Sequence, residues 1–255
     1  MPASSRPIAS PTESLPRGVV HVWHADLALA SAYATNALGL LDREERERAA
    51  RLRSDADRAQ FVTAHGIMRI LLARYLGCSA AAVRFGYGPH GKPYILRGKE
   101  QPDLHFNASR TSGLTMFAIA AERDVGIDAE KIDFDRGLTD SLSRALSDRE
   151  RAFLGALPSE IEKYTECLKA WARKEAFLKA RGDGLAIAPA DVHTETISGK
   201  IYLSGRLQRR WRVYDIAVWE GYSAALAAEG ETCQVVIREY RVEWGCHPPL
   251  ALEIS

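Results

Sequence analysis

The sequence predicts a mixed α/β protein built from two similar halves that meet near residue 125. Two observations carry this prediction. Strand-like segments and segments with apolar residues at helical spacing occur in the order strand, helices, strands, and that order then repeats. The chain has 255 residues, of which 46% are hydrophobic and 26% charged, as is typical of a globular protein long enough to bury a core.

The first half is predicted to span residues 17–124. It follows a leader at 1–16 that is rich in Pro, Ser and Ala and that we expect to be disordered. Asp42 is a suitable N-cap for one helix, and Gly77 ends another. The predicted elements are a strand at 19–23, helices at 42–53 and 57–76, a strand at 83–87, a turn-rich stretch at 88–93, and strands at 104–108 and 114–121.

The second half is predicted to span residues 125–240, with an irregular tail at 241–255. Ser147 or Asp148 caps a short helix, and Gly182 ends a long one. The predicted elements are a strand at 125–131, helices at 138–146, 148–156 and 159–181, and strands at 192–197, 200–208, 211–219, 222–228 and 232–239.

Charge and cysteine usage exclude several classes of function. The net charge of +1 gives no field that would favour nucleic acid or a membrane surface. The four cysteines form no C-x-x-C pair, so neither a zinc site nor a redox motif is indicated. No apolar run approaches the roughly 18 residues that a membrane span needs, and no signal peptide is recognisable. We therefore expect a cytoplasmic protein without nucleic-acid or membrane partners.

Two acids in the strand at 125–131 form the first candidate site. Asp128 and Glu130 are separated by one residue, so their side chains leave the strand on the same face, about 6–7 Å apart. Such carboxylates repel each other unless a cation joins them, and magnesium favours one or two carboxylates together with phosphate oxygens. Taken alone, the pair is also compatible with solvated acids at a strand end.

The long helix at 159–181 carries a second candidate. Trp171, Glu175 and Lys179 recur every four residues, so they share one stripe of the helix. A surface Glu–Lys pair is the simpler interpretation, but the tryptophan indicates a partly buried face, where charged residues usually have a partner or a function. The turn that presents Lys92 and the polar strand end with Ser109 and Arg110 are weaker signals of phosphate binding.

In this order, four sequence elements resemble the Sfp-type 4′-phosphopantetheinyl transferases over residues 19–230. They are GKP at 91–93, HFNAS at 105–109, VGIDAE at 125–130 and WARKEAFLK at 171–179. The last two resemble the family's G-x-D-x-E and W-x-x-K-E-x-x-x-K signatures, which are its most specific elements. The resemblance implies a pseudo-dimer of two α/β halves, each a small, mainly antiparallel sheet packed on a long helix, with the active site between them.

The resemblance also implies an activity and a set of roles. The enzyme would move the phosphopantetheine arm of coenzyme A onto a serine of an apo acyl carrier protein or peptidyl carrier domain, and would work as a monomer. Asp128, Glu130 and Glu175 would hold Mg²⁺ against the diphosphate, and Lys179 would face it. Glu150 is a further acid, and either it or Glu175 can act as the general base. The residues implied for coenzyme A are Arg48, His65, Lys92, Pro93, Ser109 and Arg110.

Three positions depart from the family pattern. Arg110 and Thr111 occupy places where the family usually has histidine, and His65 stands where many relatives carry arginine. Two alternatives stay open from the sequence: an acyltransferase that uses acyl-coenzyme A, which would need no metal-binding acids, and a non-catalytic module that binds carrier proteins.

Overall fold

A computed structural model describes residues 13–134 and 142–241 of the chain. The helices are α1 (Ala30–Leu38), α2 (Arg43–Ala50), α3 (Asp55–Leu76), α4 (Asp148–Gly155) and α5 (Glu160–Arg181). The strands are β1 (Val19–Asp26), β2 (Phe85–Tyr87), β3 (Pro93–Ile95), β4 (Leu104–Thr111), β5 (Leu114–Ala121), β6 (Val125–Lys131), β7 (Val192–Thr194), β8 (Ile201–Leu203), β9 (Arg206–Leu207), β10 (Trp211–Asp215), β11 (Tyr222–Glu229) and β12 (Gln234–Glu239).

Two sheets form the centre of the molecule. The first has the strand order β12-β1-β5-β4, and the second has the order β10-β11-β6. Among the described strands, β1 and β12 pair in parallel and the other pairs are antiparallel. The smaller pieces β2-β3 and β7-β8-β9 flank these sheets. Apart from β12, the sheets have the same design, because β1, β5 and β4 are connected as β6, β11 and β10 are.

The molecule is layered as helix, sheet, sheet, helix. Alternate residues of β1 point to opposite faces of the first sheet. Trp23 packs in a core beneath α3, whereas Val22 packs between the sheets against Ile127 of β6. The opposite face of the second sheet packs on α5 through small residues such as Ala176 and Ala225.

The long helices have the same length and the same ends. Ser54 and Ser159 are the N-caps, and each side-chain oxygen accepts a hydrogen bond from a backbone N–H of the first turn. Gly77 and Gly182 end the helices in the left-handed conformation, with φ of 63° and 75°. The prediction of two similar halves, each with a mainly antiparallel sheet on a long helix, is confirmed.

Several predicted elements differ from the observed ones. Helix α1 was not predicted, and it begins without a side-chain cap. Strand β3 begins at Pro93, within the stretch predicted to be turns. The strand predicted at 200–208 is the hairpin β8–β9, which turns at Ser204 and Gly205 with φ of 47° and 77°. The strand predicted at 211–219 ends at Asp215.

The chain ends differ from the prediction as well. Strand β12, predicted within the second half, joins the edge of the first sheet beside β1. The end of the predicted leader is ordered, because the Glu13 N–H donates to the Arg74 carbonyl and its carboxylate pairs with Arg238. The rest of the leader, residues 242–255 of the tail and residues 138–141 of the helix predicted at 138–146 lie outside the described residues. Of the remaining residues of that predicted helix, 142–143 are helical and 144–146 form a turn and bend.

Of the helices that the structure describes, none combines the length and the apolar character that a membrane crossing requires.

Candidate active site

A seam between β4 and β6 joins the two halves. The Asn107 side-chain oxygen accepts a hydrogen bond of 2.9 Å from the Ile127 N–H, and the Ser109 hydroxyl accepts one of 3.2 Å from the Ala129 N–H. Side chains of β4 therefore satisfy backbone donors on the edge of β6 that would otherwise be buried without a partner. The seam fixes β6 against the first half.

The acids of β6 face α5, on the side of the strand away from the core between the sheets. Gly126 shares that face, and a Cβ atom there would lie 2.1 Å from the Ala176 carbonyl oxygen. Only glycine allows the helix to come this close. Asp128 and Glu130 follow at the next alternate positions, so they point towards the helix. Their predicted placement on one face agrees with this geometry.

Helix α5 completes a cleft of about 410 Å³ between the two halves. Glu175 and Lys179 line it from the helix, as the shared stripe predicted. The cleft is lined by Ala108, Ser109, Arg110, Asp128, Ala129, Glu130, Trp171, Glu175 and Lys179. The structure thus brings together the three acids, Lys179, Ser109 and Arg110 of the predicted site.

Polar contacts hold the charged groups of the cleft in place. The Lys179 ammonium donates to Oδ1 of Asp128 at 2.5 Å, and the Trp171 indole N–H donates to Glu130 at 3.0 Å. Burial raises the pKa of Glu130, and repulsion from Asp128 adds to this, while Trp171 and Lys179 oppose it. Burial and Asp128 likewise raise the pKa of Glu175, against the attraction of Lys179. Excess negative charge is thus concentrated in the cleft.

Asp128 has one oxygen without a partner. Its Oδ2 atom is buried and accepts no hydrogen bond from the part of the chain that the structure describes. A buried carboxylate oxygen without a donor costs free energy, so it marks a place where a cation or donor fits. As the side chains stand, no three His, Cys, Asp or Glu groups within 13–134 and 142–241 lie close enough together to hold an ion. Instead, Lys179 pairs with Asp128, and Trp171 donates a hydrogen bond to Glu130.

Glu150 lies apart from the cleft. Its carboxylate forms a buried ion pair of 2.6 Å with Lys174, and it accepts hydrogen bonds from the backbone N–H groups of Ser147 and Thr194. Lys174 also donates to the carbonyls of Ala145, Pro189 and Val192. Burial lowers the pKa of Lys174, and Glu150 opposes the shift. The predicted catalytic role of Glu150 is therefore not favoured by its placement.

Two predicted coenzyme A residues lie on the α2–α3 surface and do not line the cleft. Arg48 is exposed, and its guanidinium lies 6.0 Å from the centre of the Phe61 ring. His65 stacks on the same ring at 4.0 Å and is 2.9 Å from the buried Glu45 carboxylate. Arg48 and His65 therefore both pack against the Phe61 ring.

The predicted Lys92 and Pro93 lie at the junction of the β2–β3 hairpin with the second half. The Lys92 ammonium is 3.0 Å from the Asp124 carboxylate and also donates to the Ala180 carbonyl at the end of α5. His105 forms a hydrogen bond of 3.1 Å with the same Asp124 oxygen. Lys92 thus serves the contact between the halves in this arrangement, and its predicted contact with coenzyme A stays a prediction.

Sequence reasoning missed some residues that build the site. Asn107 and Gly126 were quoted only as parts of motifs, although they set the seam and the approach of α5 to β6. Lys174 was not assigned a role. The signal for Asn107 and Ser109 was their spacing of two residues at the end of the strand predicted at 104–108, because residues two apart can contact one neighbouring edge when the strand continues, as β4 does.

Two family profiles match the chain in succession. The profile described as the 4′-phosphopantetheinyl transferase superfamily matches residues 124–227, and the profile described as 4′-phosphopantetheinyl transferase, N-terminal, matches residues 30–124. The junction of the two matches lies next to β6, where the second half begins.

Curated proteins of three organisms show the same similarity. The chain is 33% identical over 167 residues to the 4′-phosphopantetheinyl transferase HetI of Nostoc sp., which covers 66% of this chain and 70% of that protein. It is 30% identical to the 4′-phosphopantetheinyl transferase of Bacillus subtilis, over 64% of this chain and 70% of that one. It is 24% identical to the human L-aminoadipate-semialdehyde dehydrogenase-phosphopantetheinyl transferase, over 72% of this chain and 65% of that protein.

Proposed function

Because the chain belongs to the 4′-phosphopantetheinyl transferase superfamily and is a transferase, we propose that it moves the phosphopantetheine arm of coenzyme A to a serine of an apo acyl or peptidyl carrier protein. The observation that carries the proposal is the cleft in which Asp128, Glu130, Glu175 and Lys179 meet. An acid cluster beside a lysine suits a diphosphate that binds together with a cation.

We propose that Asp128, Glu130 and Glu175 hold a Mg²⁺ ion. Support comes from the donor set, which is all carboxylate, and from the buried Oδ2 atom of Asp128, which lacks a partner among the described residues. When bound, the ion offsets the negative charge of the diphosphate and makes its phosphorus more electrophilic. Lys179, which now pairs with Asp128, is close enough to the cleft to turn its ammonium towards the diphosphate.

The proposed reaction is a displacement at the β-phosphorus of coenzyme A. The oxygen of the carrier serine forms a bond to that phosphorus, and the bond to the bridging oxygen of the diphosphate breaks. Adenosine 3′,5′-bisphosphate leaves with the electron pair, and the Lys179 ammonium stabilises the charge that develops on it. No covalent intermediate with the enzyme is required.

Glu175 is the proposed acceptor of the serine proton. It lines the cleft in which the diphosphate would bind, so its carboxylate can accept the proton directly or through one water. Glu150 is a less suitable base because its carboxylate is committed to Lys174 and to two backbone N–H groups.

The test is incubation of the protein with coenzyme A, Mg²⁺ and a panel of apo carriers from peptide, polyketide and fatty acid synthases. Intact mass spectrometry should show the mass of one phosphopantetheine group on at least one carrier. Excess chelator should stop the transfer, and added Mg²⁺ should restore it. If no carrier gains the mass in the presence of Mg²⁺, the proposed function is wrong.

A further inference from the structure

Ser109 makes several hydrogen bonds within the cleft, and a role in binding coenzyme A does not account for them. Its side chain is buried, with the residue 7% exposed, and its hydroxyl has partners on three sides. It donates to Oδ1 of Asp128 at 3.0 Å, and it accepts from the Ala129 N–H at 3.2 Å and from the Lys179 ammonium at 3.4 Å.

This set of partners uses the full capacity of a hydroxyl, which has one hydrogen to donate and two lone pairs. The Ala129 N–H fixes the oxygen to the backbone of β6, one residue beyond Asp128. The hydroxyl hydrogen is therefore directed at Oδ1 of Asp128, and little is left for a ligand. The bond also comes from the first half of the molecule, whereas Asp128 belongs to the second.

These contacts give the two carboxylate oxygens of Asp128 different surroundings. Oδ1 accepts from Ser109 and Lys179, while Oδ2 is buried without a donor among the residues that the structure describes. Because Ser109 holds one oxygen, the carboxylate cannot rotate freely to satisfy the other. A group that fixes a carboxylate in this way raises the affinity for a metal by removing the cost of ordering its ligand.

We propose that Ser109 is the positioning residue of Asp128: by holding Oδ1, its hydroxyl leaves Oδ2 free to bind the Mg²⁺ ion that the three acids would hold. This inference rests on the proposed function, since it needs the metal site, but it assigns Ser109 to the metal and not to the nucleotide. It predicts that loss of the hydroxyl weakens metal binding and leaves the affinity for coenzyme A at saturating Mg²⁺ nearly unchanged.

The experiment measures binding of Mn²⁺, an oxygen-seeking ion with an EPR signal, to the full-length protein. Ser109→Ala should weaken Mn²⁺ binding by about 10- to 100-fold, the usual effect of losing a group that orients a metal ligand. Its transfer activity should recover as Mg²⁺ is raised. Ser109→Thr keeps the hydroxyl and should bind Mn²⁺ nearly as the wild type does.

A matched control removes a neighbouring buried hydroxyl. Thr115 donates to the carbonyl of Ser109 from the adjacent strand, so Thr115→Val disturbs the same stretch of β4 without touching Asp128. We expect it to lower the melting temperature and leave Mn²⁺ binding within about twofold of the wild type. This control separates damage to the seam from loss of the Asp128 contact, even if Ser109→Thr is too large to fold.

Three outcomes would overturn the inference. Unchanged Mn²⁺ affinity in Ser109→Ala would show that the hydroxyl does not position Asp128. A raised KM for coenzyme A at saturating Mg²⁺, with Mn²⁺ affinity unchanged, would make Ser109 a nucleotide contact instead. Failure of the wild type to bind Mn²⁺, with or without coenzyme A, would remove the proposed metal site itself and the inference with it, whereas the mass assay tests the transfer independently.

Discussion

The two halves of the molecule share a scaffold and differ at the residues that line the cleft. The caps of the long helices, Ser54 and Ser159, lie 105 positions apart, and so do the glycines that end these helices. The short helices before them begin with capping boxes at Asp42 and Ser147, at the same offset. Each box has a buried glutamate at its third helical position.

Each of these glutamates pairs with a fully buried cation of the long helix, again at the same offset. Glu45 contacts Arg69 at 2.6 Å in the first half, and Glu150 contacts Lys174 at 2.6 Å in the second. Because the pair occurs in both halves and only one half carries the three acids, we infer that the Glu150–Lys174 pair stabilises the scaffold, and the catalytic role predicted for Glu150 stays a prediction. A motif lysine next to the stripe of Trp171, Glu175 and Lys179 can therefore be structural.

The cleft residues do not repeat. The positions equivalent to Asp128 and Lys179 in the first half are Trp23 and Arg74. Strand β12 covers that region: Arg238 packs 5.2 Å from the Trp23 ring, and Arg74 packs 5.3 Å from the ring of Tyr240, just beyond the strand. In the first half, β12 and Tyr240 therefore cover the region that corresponds to the cleft, whereas in the second half charged groups line it.

The largest expected effect tests the shared scaffold. Arg69→Met and Lys174→Met each leave a buried carboxylate without its cation, so each should lower the free energy of unfolding by about 3–5 kcal/mol. Denaturant unfolding followed by circular dichroism measures this. The double variants Glu45→Gln/Arg69→Met and Glu150→Gln/Lys174→Met should recover part of the loss, because no unpaired charge is buried. If Lys174→Met is fully stable but inactive, Lys174 belongs to catalysis and the comparison fails.

The next effect tests the difference between the halves. Lys179→Ala should lower kcat by about 10²–10³, the usual effect of losing a donor to a developing negative charge, or about 2.7–4 kcal/mol. Arg74→Ala removes the equivalent side chain of α3 and should leave kcat near the wild-type value while lowering stability. Carrier modification followed by intact mass measures both variants. A comparable loss of kcat in Arg74→Ala would show that the first half also acts in catalysis.

Local signals in the sequence predicted much of this fold. The ends of α3 and α5 were predicted to within about two residues because apolar spacing and terminal glycines are local signals. Helix α1 was missed because Leu29, at its N-cap position, provides no side-chain hydrogen bond. The position of β12 was missed for another reason: a strand pattern shows that a segment pairs, but not with which edge.

The candidate site was predicted to a similar degree. Spacing placed Asp128 beside Glu130, and Glu175 beside Lys179, because each pair shares one element. The role of Glu150 was harder to infer, since its partner Lys174 lies 24 positions away and within a motif that resembles a catalytic stripe. Contacts between elements, such as that of Ser109 with Asp128, depend on how the halves pack, so they produce no periodic pattern in the sequence.

A smaller effect is expected at Arg110, which extends from the first half into the cleft. It is exposed, and the structure shows no ion pair for it with any residue of 13–134 or 142–241, so its guanidinium is available to a phosphate. We expect Arg110→Ala to raise KM for coenzyme A by about 10- to 100-fold, or about 1.5–3 kcal/mol, with little change in kcat.

Dephospho-coenzyme A sharpens the Arg110 test because it lacks the 3′-phosphate. If Arg110 binds that phosphate, the wild type discriminates against the analogue and Arg110→Ala does so much less. Equal discrimination by both proteins would show that Arg110 contacts another part of the ligand.

The smallest effect concerns the junction of the halves at His105. The hydrogen bond with Asp124 raises the pKa of His105, and the same bond lowers the pKa of Asp124 to about 2. Because the pKa of His105 is higher in the folded protein, its protonation stabilises the fold at pH values below the unfolded pKa of about 6.5, and this stabilisation is lost as the pH rises through the folded pKa. Because the pKa of Asp124 is lower in the folded protein, its ionisation stabilises the fold at pH values above the unfolded pKa of about 3.9. The pair should therefore contribute most between about pH 4 and 6.5.

Both side chains are more than 30% exposed, so solvent limits this contribution to about 0.2–1 kcal/mol. His105→Gln should lower the free energy of unfolding by that amount at pH 5.5 and by less at pH 8, as denaturant unfolding at the two pH values would show. His90→Gln, on the exposed β2–β3 turn, is the matched control and should show no such dependence on pH. If His105→Gln loses the same stability at both pH values, packing and not charge accounts for the contribution of His105, and the electrostatic part of this region would be confined to Lys92 and Asp124.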